Sequence, residues 1–158
     1  MLVLCTGNSA RSILAEALIN RLGAGRFRAH SAGSHPAGRV NRFALALLNG
    51  RGFDTAGLAS KSWNVFAAPG APPIDAVITV CDNAANEVCP IWPGRPVTAH
   101  WGIPDPAAAT GDAAAKRAAF EAAFAALEAR VTALVALSVD DLAGGMLATR
   151  LAAIPDGL

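Results

Sequence analysis

The segment that most constrains the fold of this chain is residues 5–12, with the sequence Cys-Thr-Gly-Asn-Ser-Ala-Arg-Ser. An apolar run, residues 1–4, precedes it, and residues 13–22 follow with helical periodicity. A strand, a short glycine-containing loop and a helix start direct backbone N–H groups at whatever the loop encloses. These donors and the Arg11 guanidinium would bind a tetrahedral oxyanion, and the same field would lower the pKa of the Cys5 thiol. The segment therefore predicts a nucleophilic thiolate beside an oxyanion site.

A simpler interpretation of this segment has to be weighed against that one. An isolated cysteine at the end of a strand is usually a small buried side chain with no chemistry of its own. A cysteine followed by five residues and then Arg-Ser, between a strand and a helix, is much more specific and favours catalysis. Ser12 opens the predicted helix, where its hydroxyl would cap the first N–H groups.

Residues 5–12 resemble the phosphate-binding loop of the low-molecular-weight protein-tyrosine phosphatase fold, and in particular that of the arsenate reductases built on it. Further segments match in the family's order: Ser31-Ala32-Gly33, Val80-Cys81-Asp82-Asn83-Ala84, Cys89-Pro90, His100-Trp101-Gly102 and Asp105-Pro106. The resemblance implies a three-layer α/β/α domain with a four-stranded parallel sheet in the order 2-1-3-4. It also implies that Asn8 holds the loop in shape and that Ser12 donates a hydrogen bond to the Cys5 thiolate.

Hydrophobic patterning predicts an α/β chain of strand–helix units, which pack as layers. Residues 82–88 are predicted as a short helix or a loose turn. The length of 158 residues suits a single domain, 1–158. Strands are expected at residues 1–4, 26–31, 74–80 and 97–100, and helices at 12–22, 38–49, 113–137 and 139–154, the last interrupted at Gly144-Gly145.

Composition argues against several classes of function. The net charge is +1, which favours neither nucleic acid nor an anionic membrane surface, and no apolar run reaches the roughly 18 residues of a membrane span. No basic region precedes an apolar segment at the N-terminus, as a signal peptide would require. Three cysteines do not suit a secreted disulfide framework, and the three histidines are scattered. We expect a cytoplasmic protein with no metal, no bound cofactor, no nucleic-acid partner and no membrane association.

Cys81 follows the strand predicted at residues 74–80, just as Cys5 follows the first strand. Because ligands bind at the carboxyl ends of the strands in such sheets, both thiols are expected at the same edge. Cys89 lies eight positions after Cys81, a rise of about 12 Å on a helix, whereas a disulfide needs Cα atoms within about 7 Å. The two can bond only if the segment unwinds or folds back, which predicts a redox-switched loop. The alternative is two buried thiols.

Asp105 lies between two prolines after the last predicted strand. Proline restrains both its own φ and the residue before it, so the backbone of Asp105 is held in place. A general acid must lie within hydrogen-bond reach of the leaving oxygen, and this loop is suited to hold one. The alternative is an ordinary turn residue. His100, at the end of the same strand, is interpreted as structural.

The family resemblance implies an arsenate reductase. In that interpretation Cys5 attacks arsenate, Asp105 protonates the departing oxygen, and Cys81 attacks Cys5 to release arsenite. Cys89 then attacks Cys81 and carries the disulfide outward, where thioredoxin, glutaredoxin or a low-molecular-weight thiol reduces it. Phosphate would bind as an analogue of arsenate. The oxyanion-binding residues would be Thr6, Gly7, Asn8, Ser9, Ala10, Arg11 and Ser12.

Two other functions stay open. A phosphatase acting on phosphotyrosine or a small phosphate ester needs only the loop and Asp105. It leaves two cysteines unexplained, however, and the chain has no tyrosine to flank an aromatic substrate. A non-enzymatic oxyanion-binding or redox-sensing module would keep the loop without needing Asp105. Two departures from the family bear on the relay. Cys81 and Cys89 are spaced one residue wider than in the thioredoxin-coupled members, and Ala10 stands where several related loops carry a second cysteine.

Overall fold

The computed structural model describes residues 1–142 and 145–157 of the chain. Four strands form one sheet in the order β2-β1-β3-β4, and every neighbouring pair is parallel. The register places Leu4 opposite both Ala32 and Thr79, so these strands end at one edge. The strand order that the resemblance implied is confirmed. The strands are β1 (Leu2–Leu4), β2 (His30–Ala32), β3 (Ala76–Thr79) and β4 (Val97–His100).

The helices of the described residues are α1 (Arg11–Leu22), α2 (Arg42–Gly50), α3 (Asp82–Asn86), α4 (Ala113–Ala136), α5 (Val139–Leu142) and α6 (Leu147–Ala153). Short 3-10 turns lie at Trp63–Phe66, Pro106–Ala108 and Pro155–Gly157. No helix in these ranges has both the length and the apolar character needed to cross a bilayer.

The sheet lies between two apolar layers. On one face, Val3 and Ile78 join the larger core, into which α1 and α4 pack. On the other face, Leu2, Leu4 and Val77 pack in a smaller cluster with aromatic side chains from outside the sheet. The central strands are buried on both faces, which explains their continuous apolar sequence. The predicted three-layer α/β/α fold is confirmed.

Three predicted elements differ from the structure for local reasons. The helix expected at 38–49 begins only at Arg42, because the Asn41 side chain accepts from the N–H of Phe43 and caps it there. The strand expected at residues 26–31 is confined to His30–Ala32, because Arg26 and Phe27 donate their N–H groups to the turn carbonyl of Gly23. The N–H of Ala29 instead donates to the side-chain oxygen of Asn20 (2.8 Å), and the carbonyl of Ala29 accepts from the side-chain nitrogen of Asn20 (3.0 Å). The helix expected at 139–154 is two helices, α5 and α6. Gly144, where we placed the interruption, lies outside the described residues.

Candidate active site

Residues 5–12 form the connection between β1 and α1, which we call the anion loop. Residues 35–41 run alongside it. Three backbone N–H groups of that segment donate to carbonyls of the anion loop: His35 to Thr6 (3.0 Å), Ala37 to Gly7 (2.9 Å) and Asn41 to Ser9 (2.9 Å). In a trans peptide the N–H points opposite to the preceding C=O. The loop N–H groups that follow these three carbonyls therefore point to the other side of the loop, as expected for a row of oxyanion donors.

Asn8 holds the anion loop from within. Its side chain is fully buried and its φ is 40°, in the left-handed region that asparagine tolerates better than most residues. Its amide nitrogen donates to the hydroxyls of Ser12 (2.9 Å) and Ser31 (2.8 Å), and its oxygen accepts from the N–H of Lys61 (2.8 Å). A Cβ on Gly33 would lie 2.4 Å from the carbonyl oxygen of Thr6, so only glycine fits beside the loop.

Ser12 lies inside α1, because the helix begins at Arg11 and Ala10 occupies the N-cap position without a side-chain hydrogen bond. The interpretation of Ser12 as a helix cap is therefore wrong. Its hydroxyl instead hydrogen-bonds Cys5, and this contact lowers the pKa of the thiol against larger opposing effects. That is the contact implied by the family resemblance.

The roles of Glu16 and Lys61, which lie behind the loop, were not anticipated from the sequence. The Ser31 hydroxyl that accepts from Asn8 donates to the carboxylate of Glu16, whose oxygen lies 3.9 Å from the Lys61 ammonium. Burial raises the pKa of Glu16, while the bond from Ser31 and the charge of Lys61 oppose that effect. The sequence did carry a signal, because Glu16 is the one charged residue in the otherwise apolar run 13–19, which the structure buries.

Cys5 and Cys81 are both buried, and they lie close enough for each thiol to be the largest influence on the pKa of the other. Contact with Cys81 raises the pKa of Cys5, and burial adds to that effect. The hydrogen bond from Cys5 lowers the pKa of Cys81 to about 5, with a further contribution from the N–H of Ala84 (3.4 Å). Two adjacent thiolates repel, so the two sulfurs hold one proton between them. The prediction of a lowered pKa for Cys5 is therefore wrong in this arrangement, because that prediction considered the loop without its neighbour.

Arg11 and Asp105 meet at the edge of the anion loop. One guanidinium nitrogen of Arg11 lies 3.1 Å from the Asp105 carboxylate, and another donates to the carbonyl of Ile103 (3.1 Å). The second Asp105 oxygen accepts from the N–H of Ala107 (3.0 Å), which fixes the carboxyl orientation. Asp105 is thus brought to the loop as predicted. Among the described residues, Nε of Arg11 has no hydrogen-bond partner although it is buried.

Cys89 lies apart from the other two cysteines. It is half-buried and packs against the smaller apolar cluster, which includes Trp63 and Trp92. Burial and the charge of Glu87 both raise the pKa of its thiol. It also lines a cavity of about 580 Å³ together with Arg95 and other residues of the segment that leads to β4. The structure therefore brings Cys5 and Cys81 together and places Cys89 apart from them, against the smaller apolar cluster.

The segment between Cys81 and Cys89 is contacted at its C-terminal end by the anion loop. The helical part, α3, stops at Asn86, and Glu87 is extended, with φ −80° and ψ 152°. The hydroxyl of Thr6 donates to the Glu87 carboxylate at 3.4 Å and lies 3.6 Å from the sulfur of Cys81. Of the two alternatives for residues 82–88, a short helix or a loose turn, the structure has a short helix over Asp82–Asn86.

The N-terminal end of the same segment is bonded to the sheet. Asp82 lies 3.0 Å from Nε2 of His100, and Nδ1 of that ring lies 2.8 Å from the hydroxyl of Thr79. A Cβ on Gly102 would lie 2.6 Å from Nε2 of His100 and 2.9 Å from the Asp82 carboxylate, so glycine leaves room for the pair. His100 has the structural contacts that we expected.

The donors gathered here suit an anion. Within the part of the chain that the structure describes, His, Cys, Asp and Glu side chains form no group of three or more that could hold a metal ion. The site instead combines backbone N–H groups, a guanidinium and a pair of thiols, which suit a tetrahedral oxyanion and thiol chemistry.

The sequence of this chain is similar to a known protein family and to individual members of it. Residues 1–143 match the sequence model of the family described as "Low molecular weight phosphotyrosine protein phosphatase". The arsenate reductase of Bacillus subtilis (strain 168) is 32% identical over 118 residues, which are 75% of this chain and 81% of that protein.

Solved structures agree with the family match. The arsenate reductase of Archaeoglobus fulgidus DSM 4304 superposes with a TM-score of 0.67 at 29% identity, covering 86% of this chain and 98% of that one. A structure described as an arsenate reductase in the phosphate binding state has a TM-score of 0.68 at 27% identity, covering 85% and 95%.

Proposed function

The chain belongs to the low molecular weight phosphotyrosine protein phosphatase family, and from that premise we propose that it is an arsenate reductase using Cys5, Cys81 and Cys89 in turn. The observation that carries the proposal is the proximity of the buried Cys5 and Cys81 thiols, each of which is the largest influence on the pKa of the other. A phosphatase needs a single nucleophile, whereas reduction of arsenate needs a second thiol beside the first. The arsenate reductases among the similar proteins support the same conclusion.

Because the two sulfurs share one proton, either Cys5 or Cys81 can be the thiolate that acts as the nucleophile. When the proton resides on Cys81, Cys5 is the thiolate, supported by the Ser12 hydroxyl and the N–H of Asn8. The Cys5 sulfur attacks arsenate and forms a sulfur–arsenic bond. Backbone N–H groups of the anion loop and the guanidinium of Arg11 stabilise the oxyanion during this step. The buried Nε of Arg11 is a further donor for it.

Asp105 is the general acid of this step. Its carboxylate is paired with Arg11 in the structure, 3.1 Å away. An arriving oxyanion draws the Arg11 guanidinium to itself and frees the Asp105 carboxyl group to face the departing oxygen. In its protonated form Asp105 gives its proton to that oxygen. That oxygen leaves as water.

The reduction follows from the contact between the two sulfurs. Cys81 loses its proton and its sulfur attacks that of Cys5, so the Cys5–Cys81 disulfide forms. The sulfur–arsenic bond breaks, and its electron pair stays on arsenic, which goes from the +5 to the +3 state and leaves as arsenite. Cys89 then attacks Cys81, and Cys5 leaves as a thiolate. Each turnover thus oxidises a pair of thiols.

An external thiol reductant closes the cycle. A dithiol protein such as thioredoxin suits a completed Cys81–Cys89 disulfide, whereas glutaredoxin or a low-molecular-weight thiol would act through a mixed disulfide. The three cysteines, all free thiols in the structure, need a reducing compartment. We therefore place the reaction in the cytoplasm and assign it to one domain, residues 1–158.

A single-turnover experiment tests this function. The fully reduced protein is mixed with arsenate without any external thiol, and arsenite and free thiols are counted. We expect stoichiometric arsenite and the loss of a pair of thiols. Cys81→Ser should form no arsenite. Cys89→Ser, the matched control, should form arsenite once and stop as the Cys5–Cys81 disulfide.

A different result would support the phosphatase alternative. Absence of arsenite in the wild type, together with steady hydrolysis of an aryl phosphate, would overturn the reductase proposal. Slow aryl phosphate hydrolysis beside arsenite formation is expected, because arsenate and phosphate share shape and charge.

A further inference from the structure

Two carboxylates hold the segment between Cys81 and Cys89, one at each end. Asp82 bonds to His100 (3.0 Å), which belongs to β4 and therefore to the scaffold. Glu87 accepts a hydrogen bond from Thr6 (3.4 Å), which belongs to the anion loop. The two carboxylates thus differ in kind, because Asp82 is bonded to the sheet whereas Glu87 is bonded to the anion loop, where the oxyanion binds.

The bond at the Glu87 end is suited to release. At 3.4 Å it is longer than the usual hydrogen bond between oxygens. The Thr6 hydroxyl has one proton and two neighbours that can accept it, the Glu87 carboxylate and the Cys81 sulfur at 3.6 Å. A change at the anion loop therefore acts on Glu87 through a weak contact with an alternative partner already in place.

The charge of Glu87 also acts on Cys89, two residues further along the chain. It adds to burial in raising the pKa of that thiol. With Glu87 in place, Cys89 is a protonated and half-buried thiol, which is a poor nucleophile. Displacement of the carboxylate would therefore change both the position and the reactivity of Cys89.

On the basis of the proposed function, we propose that Glu87 is a positioning residue that couples oxyanion arrival in the anion loop to release of Cys89. The oxyanion places negative charge beside Thr6 and repels the carboxylate. The Thr6–Glu87 bond breaks, and residues 87–89 move away while Asp82 keeps the start of α3 on the sheet. The relay segment then opens only when there is substrate to reduce.

The released segment serves the last intramolecular step. After arsenite has left, Cys89 gives its proton to solvent and its sulfur attacks that of Cys81. The Cys81–Cys89 bond forms and the Cys5–Cys81 bond breaks. The electron pair of the broken bond stays on Cys5, which leaves as a thiolate. No oxidant is needed, because the oxidising equivalent is already in the Cys5–Cys81 disulfide.

Alkylation of the reduced protein tests the coupling without requiring turnover. Iodoacetamide is added with and without saturating inorganic phosphate, and peptide mass spectrometry gives the rates at Cys5 and Cys89 separately. In the wild type, phosphate should slow alkylation of Cys5. It should speed alkylation of Cys89 about three- to tenfold, the range that loss of one hydrogen bond produces.

Three variants locate the effect. Glu87→Gln keeps an oxygen that accepts from the Thr6 hydroxyl but carries no charge for the oxyanion to repel, so phosphate should not change its rate of alkylation at Cys89. Glu87→Asp keeps the charge but is one methylene shorter, so it should lose the bond to Thr6 and alkylate rapidly at Cys89 even without phosphate. Glu128→Gln, which removes a carboxylate from α4, should match the wild type in every rate.

The outcomes separate this inference from the function on which it rests. Protection of Cys5 by phosphate with an unchanged rate at Cys89 in the wild type would overturn the role of Glu87 and leave the anion loop intact. Wild-type rates and a wild-type phosphate response in Glu87→Gln would do the same. Failure of phosphate to protect Cys5 would overturn both, because no oxyanion would then bind in the loop.

Discussion

Replacement of Asn8 by alanine should be among the most damaging changes in this chain. It removes three hydrogen bonds, with Ser12, Ser31 and the N–H of Lys61, from a fully buried position. Each contributes about 1 kcal/mol net. Alanine also adopts the positive φ of this residue less readily than asparagine, which adds about 1 kcal/mol. We expect a loss of about 4 kcal/mol in unfolding free energy, a large share of a typical 5–15 kcal/mol.

Urea unfolding monitored by circular dichroism measures this loss. The control is Asn41→Ala, which removes the N-cap of α2, where the side chain accepts from the N–H of Phe43 (2.9 Å). That change should cost about 1 kcal/mol. Asn8→Ala should also abolish phosphate protection of Cys5. If the two variants lost equal stability and both kept that protection, the view that one buried amide shapes the anion loop would be refuted.

Three further predictions concern other residues of the site. Asp105→Asn should lower the rate of arsenite formation about 10²–10⁴-fold and change stability by less than about 1 kcal/mol, because the carboxylate is 40% exposed. Because the pKa of Glu16 is raised in the folded chain, the unfolding free energy of the wild type should fall relative to that of Glu16→Gln as pH rises above about 4.3. Urea unfolding at several pH values measures this difference. Gly33→Ala should abolish phosphate binding, since its Cβ meets Thr6, whereas Gly50→Ala should be neutral.

Each of these predictions has a result that would contradict it. Full activity in Asp105→Asn would remove that residue from the mechanism. A stability difference that stays constant with pH would mean that Glu16 has the same pKa in the folded and unfolded chains. Equal phosphate affinity in the two glycine variants would show that the loop tolerates a side chain beside the Thr6 carbonyl.

Much of the fold could be predicted because local patterns and the resemblance agreed. The strand at Val97–His100 has the bounds expected from the sequence, and α4 ends one residue before its predicted limit. The anion loop could be predicted from residues 5–12 because its chemistry is carried by neighbours in sequence. Asp105 was predicted as a site residue because the two prolines around it restrain its backbone, and the structure places its carboxylate 3.1 Å from the guanidinium of Arg11.

The remainder depends on contacts between distant segments. The pKa of Cys5 is set first by Cys81, which is 76 positions away and touches it only in the folded chain. The charge environment of Glu16 depends on Ser31 and Lys61, which no local pattern links to α1. β2 begins late because the Asn20 amide bonds the backbone that would extend it. In each case tertiary contact overrides the local pattern.

The bonds of Asn8 have a consequence for the order of events in folding. Its three partners lie 4, 23 and 53 positions away along the chain. The most distant one can form only after a large loop has closed, which is a slow step in chain assembly. Competence to bind an oxyanion should therefore be among the last properties to return after dilution from denaturant. A transient detachment of residues near Lys61 would also erase that competence while the sheet stays intact.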